Sequence, residues 1–221
     1  MSVGEYLLEE LECETVFTIP IFGGIEVSEA TVVTWIIMAV LILFAFIMTR
    51  GLKVHNISKR QAAVELAVTR LTGLCESMLG EEGKRYAPYL TTVLIYIGVA
   101  NLIGIFGMKA PTKDIRVTIA LALMSIVLVQ VVGITHKGVG KWALKTISPI
   151  NLLDLVTRPL SLCMRLFGNV LGAFVIMELL KKVCPIILPG VLSMYFDLFD
   201  GLLQAYVFVF LTSIYIKEAI E

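Results

Sequence analysis

The sequence predicts an all-α integral membrane protein, and three observations carry that prediction. Of 221 residues, 58% are hydrophobic and 16% charged, and the mean hydropathy is +0.91. Soluble domains run nearer about 45–50% apolar and about 25% charged. Second, residues 30–49, 86–108 and 117–135 contain no charged side chain, and a bilayer-crossing helix needs about 20 mostly apolar residues. Third, residues 150–220 stay strongly apolar, and Pro185 and Pro189 divide them into two long helical stretches, 150–183 and 190–217. The expected architecture is therefore about five transmembrane helices. The last two should form a long, tilted antiparallel hairpin, because 34 helical residues at ~1.5 Å each exceed a hydrocarbon core of about 30 Å.

The elements follow in chain order. Residues 1–29 hold seven acidic groups and no Lys or Arg, which predicts an acidic extracytoplasmic N-terminus retained for want of a basic leader. The remainder, 30–221, reads as one membrane domain. Its first span, 30–49, ends at Arg50-Gly51. Between the first and second spans, Val64, Val68, Leu71, Cys75 and Met78 recur at helical spacing among Lys59, Arg60, Glu65 and Arg70. That pattern predicts a cytoplasmic amphipathic helix, either on the membrane surface or packed against the spans. The second span, 86–108, carries Pro88 near its start, where proline is tolerated; the third is 117–135.

Charge distribution sets the orientation. Arg50, Lys53, Lys59, Arg60, Arg70, Lys84 and Arg85 precede the second span, and Lys137, Lys141 and Lys145 follow the third. Basic loops stay on the cytoplasmic side, so the N-terminus is expected outside and the C-terminus inside a cell membrane. Lys+Arg and Asp+Glu both number 18, so no excess charge points to nucleic acid. Cys13, Cys75, Cys163 and Cys184 are scattered and read as free thiols. Without H-E-x-x-H, G-x-S-x-G or a P-loop, neither a metal nor another cofactor is expected.

Charges within the apolar stretches concentrate the chemistry. Arg165 is followed by twelve uncharged residues. An arginine at the middle of a span costs ~2.5–3.5 kcal/mol on insertion scales and does not deprotonate, so it can only attract or block. Arg158, Ser161, Gly168, Asn169 and Gly172 fall near the same helical face, small and polar. Such a face suits either a close-approaching partner that brings a carboxylate or static packing around a structural ion pair. Asp197, Asp200 and Gln204, at i, i+3 and i+7, share a face of the last helix. They line an ion path or sit solvated at the outer interface. Glu178 with Lys181 and Lys182, and Asp154 with Arg158, read as local ion pairs. His55 and His136 fall in the basic cytoplasmic segments and offer no intramembrane relay.

The run RPLSLCMRLFGNVLGAF (158–174), with LLQAYVFVFLTSIYI (202–216), NLIGIFG (101–107), PTKDIRVTIALAL (111–123) and HNIS (55–58), resembles subunit a of the rotary F-type ATP synthase membrane sector, bacterial type. The likeness covers roughly residues 30–220. It implies a non-catalytic stator subunit that couples proton or sodium flow to rotation of a ring of c subunits. Peripheral-stalk b subunits would be further partners. It also implies that Arg165 is the family's essential arginine, that Asn169 and Gln204 are polar positions near it, and that Asp154 is the acid on the cytoplasmic side. Three positions depart from the family. Phe174 stands where a Glu is frequent, Asp197 where a His is frequent and Arg116 where an Asn is usual. The first two suggest that Asp197 supplies across the hairpin the ionisable group missing at 174. A self-contained transporter or channel is the alternative, but no internal repeat is visible.

Overall fold

The computed structural model describes residues 15–19, 25–50, 58–106, 110–138, 149–183, 192 and 194–220. It is a helical assembly of α1 (Glu29–Thr49), α2 (Lys59–Gly83), α3 (Ala87–Leu102), α4 (Ile115–Lys137), α5 (Pro149–Val183) and α6 (Gly201–Ile220), preceded by strands β1 (Thr15–Ile19) and β2 (Ile25–Ser28). The helical class is the one the sequence predicts. The strands are a local addition: β-branched and aromatic residues in TVFTI and IEVS favour extended backbone, and the two pair antiparallel.

Four helical segments are long and apolar enough to cross a membrane: Glu29–Thr49, Ile115–Lys137, Leu153–Met177 and Leu198–Ile220. The charge-free stretch 86–108 does not form one long α-helix. It starts with Pro88 in its first turn, stays α-helical for only 16 residues, and tightens into a 3₁₀ turn at Ile103–Phe106.

The core lies among α2, α3, α4 and α6, with Leu162, Cys163 and Leu166 of α5 joining it. Leu90, Val93 and Ile97 of α3 meet Leu121, Ile126 and Val129 of α4, and Phe208, Val209 and Ile216 of α6. On α4 the buried positions Val117, Leu121, Ser125 and Val132 recur at one-turn and two-turn spacing, as a one-faced helix requires. The opposite side, with Ile119, Leu123, Val127 and Val131, is exposed. In a membrane protein such apolar surface meets lipid or another subunit rather than water.

Helix α2 packs against α6 and α3. Of its two sequence alternatives, the packed one describes Cys75, Leu79 and Gly83, which are buried, whereas Val68 is exposed. Burial raises the Cys75 thiol above its usual range, so it serves as a packing residue. A kink at Gly80, φ 72° and ψ −176°, ends the regular part of α2 in backbone geometry open essentially to glycine alone.

Polar side chains fasten the other end of the bundle. Asp114, 3% exposed, caps α4 by accepting from the Arg116 backbone N–H at 2.9 Å. Ser28 Oγ donates to its other oxygen at 2.7 Å. Thr112 Oγ1 donates to Asn101 Oδ1 at 2.8 Å, and Asn101 Nδ2 donates to the Gly201 carbonyl at 2.9 Å. Gly201 has to be glycine here, because a Cβ would fall 2.9 Å from Asn101 Cβ. Gly201→Ala should therefore push α6 off α3 and strand the Asn101 amide, destabilising the protein by about 1–3 kcal/mol. A thermal melt in detergent that matches the wild type would contradict this.

Candidate ion-translocation site

Helix α5 presents two unlike faces. Leu162, Cys163 and Leu166 are buried, and Thr118 Oγ1 lies 3.4 Å from Cys163 Sγ across the contact with α4. One turn around, Leu160, Ser161, Met164, Arg165 and Gly168 are exposed. The alternation follows from helical spacing: 162, 163 and 166 share one side, and 161, 165, 168 and 172 share the other.

Arg165 has no ion pair or hydrogen bond among the described residues. A Cβ added to Gly168 or Gly172 would meet nothing within 4 Å. The small residues are thus not holding another of the described helices. They leave a smooth strip with a cation in it, open to the outside of the bundle. Asn169 is half-buried beside that strip.

At one end of the strip, Arg158 Nη2 donates to Asp154 Oδ2 at 3.1 Å and also to Glu218 Oε1 of α6. Its guanidinium stands 5.1 Å over the Tyr215 ring. The contact joins the start of α5 to the end of α6, so the two helices run antiparallel. Toward the other end, Lys113 Nζ sits 3.1 Å from the centroid of the Phe174 ring. That cation–π contact ties α5 to the 3₁₀ turn Pro111–Lys113. Arg116 is exposed at the N-terminus of α4, an unfavourable place for a cation that the Asp114 cap offsets.

The acids of the last helix fall where the backbone is not α-helical. Met194–Asp200 forms a π-helical turn, and the α-helix begins only at Gly201. A turn closed by i→i+5 bonds advances each residue through a smaller angle than an α-helix does, so α-helical spacing does not carry through 194–200, whereas Asp200 and Gln204 stay four residues apart across the start of α6. Asp200 is half-buried. Gln204 is 6% exposed, turned into the bundle, with its Nε2 unpartnered among the described residues. No hydrogen bond joins Gln204 to Arg165 among the described residues. The side chains of Asp197, Glu178, Lys181 and Lys182, and all of His55, lie outside the described residues. No group of three or more metal-ligating side chains occurs among the described residues.

The ATP synthase A chain family pattern matches residues 31–217, most of the chain and all of α5 and α6 up to Lys217. The chain belongs to the ATP synthase A chain family. Curated relatives agree over nearly full length. "ATP synthase subunit a" of Moorella thermoacetica is 35% identical over 207 residues, covering 90% of this chain and 94% of the relative. "ATP synthase subunit a 1" of Pelobacter propionicus is 33% identical over 204 residues, 88% of each chain. "ATP synthase subunit a 2" of a Bradyrhizobium species is 33% identical over 205 residues, 90% of this chain and 91% of the relative. As an A chain, the protein is a multi-pass, non-catalytic, ion-conducting membrane subunit of the ATP synthase complex.

Sequence reading missed part of what this A chain assembles. Asn101 is a lone amide in a charge-free run, and Asp114 is an acid just before an apolar run, the usual mark of an N-cap. Both signals were present. Lys113 on Phe174 and Glu218 on Arg158 carried no local signal, because each pair is made by tertiary packing.

Proposed function

We propose that the open α5 strip centred on Arg165 is the surface along which the carboxylates of a c-ring pass. The observation that carries this reading is an exposed arginine at apolar depth, without an ion pair among the described residues, beside Gly168 and Gly172, where an added Cβ would meet no described residue within 4 Å. A carboxylate arriving opposite Arg165 is held ionised by the opposite charge. Away from it, facing lipid, the same group must take up a proton or sodium ion, since a bare charge in hydrocarbon is too costly. Two offset half-channels, one to each side of the membrane, then make ion passage depend on ring rotation, and Arg165 keeps them apart.

Ser161, Gly168 and Gly172 supply the clearance for the passing ring. Asn169 and Gln204 supply polar groups beside the path. Asp154 stands at the cytoplasmic end, with the N-terminus outside and the C-terminus inside the cell membrane. The exposed faces of α1 and α4 are left for lipid and the b subunits. Each charge crossing 100 mV releases ~2.3 kcal/mol, so several crossings are pooled for each ATP.

Asp197 is the group we assign to the outer half-channel. Asp197→Asn should slow ion-driven ATP synthesis in vesicles about tenfold or more, and Asp200→Asn much less. Phe174→Glu combined with Asp197→Asn should recover part of the rate. The contact of Lys113 with Phe174 sharpens that expectation. A carboxylate at 174 would meet an ammonium and be held as an ion pair, so recovery should be larger when Lys113→Gln is added. Equal small losses in the two single variants would remove Asp197 from the channel. No recovery with Lys113 neutralised would show that the two positions are not interchangeable.

A further inference from the structure

The α5 strip does not run open to both ends. Two turns before Arg165, and near the same face, stands a second arginine, Arg158, at roughly 10 Å by helical rise. Its guanidinium never gives up its charge. A cation leaving Arg165 toward this end has to pass a group of its own sign.

Glu218 bears directly on that obstacle. It reaches from α6 to the same Nη2 that Asp154 engages on α5. Asp154 alone would be an ordinary i, i+4 partner on one helix. Glu218 comes from another element sixty residues later and gives the cluster its second carboxylate. Its backbone carbonyl also accepts from Lys137 Nζ at 3.4 Å, which draws α4 to the same point. Arg158 with Asp154 and Glu218 sums to one net negative charge, which Lys137 beside them offsets. Without Glu218 the local sum turns positive.

We propose that Glu218 is a positioning residue for ion passage, neutralising Arg158 so that cations can cross the cytoplasmic end of the strip. This rests on the reading of Arg165 given above. It differs from a mechanical role, in which the cluster only clasps α5 to α6. In the electrostatic role Arg158 is harmful without Glu218 and Glu218 is dispensable without Arg158. In the mechanical role losing either partner breaks the same clasp.

The test uses the whole ATP synthase in vesicles, reading ion-driven ATP synthesis at equal subunit content. Glu218→Gln should lower the rate about tenfold, consistent with one uncompensated charge close to the path. Glu218→Asp should keep most of the rate. Arg158→Gln should fall less than Glu218→Gln, and the double variant Arg158→Gln/Glu218→Gln should run several-fold faster than Glu218→Gln alone. A wild-type rate for Glu218→Gln, or a double variant no faster than that single one, overturns the proposal. Arg165→Ala vesicles separate the two readings. If they keep coupled synthesis, the site itself is misassigned. If they are inactive while Glu218→Gln runs normally, only the role of Glu218 is lost.

Discussion

Arg165→Ala should abolish ion-driven ATP synthesis while leaving the folded subunit intact. Its side chain is exposed and has no ion pair among the described residues, so truncation removes little that holds this chain together. The loss falls on the partner instead. Leaving a charge without its counter-ion in a dry interface costs ~3–5 kcal/mol, more than two orders of magnitude in rate. Arg165→Lys should be nearly as damaging, because a point charge on a flexible stem does not reproduce the planar fork. Membranes of either variant should show normal amounts of assembled complex and, for the alanine, passive ion leak. Normal synthesis in Arg165→Ala membranes would end the gate hypothesis.

Gly172→Leu is the second large effect. No described residue lies within 4 Å of a Cβ built there, so the added side chain meets no obstacle among them and the fold should persist. It projects onto the strip about two turns from Arg165. A rotor passing at van der Waals distance has no room for four extra carbons, since overpacking by even a methylene or two costs ~1–3 kcal/mol. Both synthesis and ATP-driven pumping should fall about tenfold or more, with the thermal midpoint of the subunit unchanged. Single-molecule rotation at the wild-type rate would place Gly172 away from the ring.

Those two residues were legible before any coordinates. A charge in an apolar run and a four-residue glycine spacing are one-dimensional signals, and helical geometry converts them directly into a face. The same holds for the start of α3, which Pro88 punctuates. Reading stopped where the backbone left ideal α geometry. The last turn before α6 is a π-helix, so phase counted at 100° per residue does not hold across 194–200. It stopped again where partners are far apart in sequence. Asp154 and Arg158 announce themselves four residues apart. Glu218 joins them only because α5 and α6 are antiparallel. Phe174 read as an acid lost; what the fold adds is Lys113 on its ring.

The bond from Asn101 to Gly201 spans one hundred residues and has a consequence for biogenesis. The chain enters the membrane from its N-terminal end, so α3 is in place well before α6 is synthesised. During that interval the amide of Asn101 lacks the carbonyl it is shaped to meet, and Arg158 lacks Glu218. Unsatisfied polar groups at membrane depth cost several kcal/mol each. A chain halted before its last helix therefore keeps an unmet amide at Asn101, whereas Arg158 still has Asp154 on its own helix. Arrival of α6 removes that mark, so the step that completes the fold also separates a finished subunit from one fit for proteolysis.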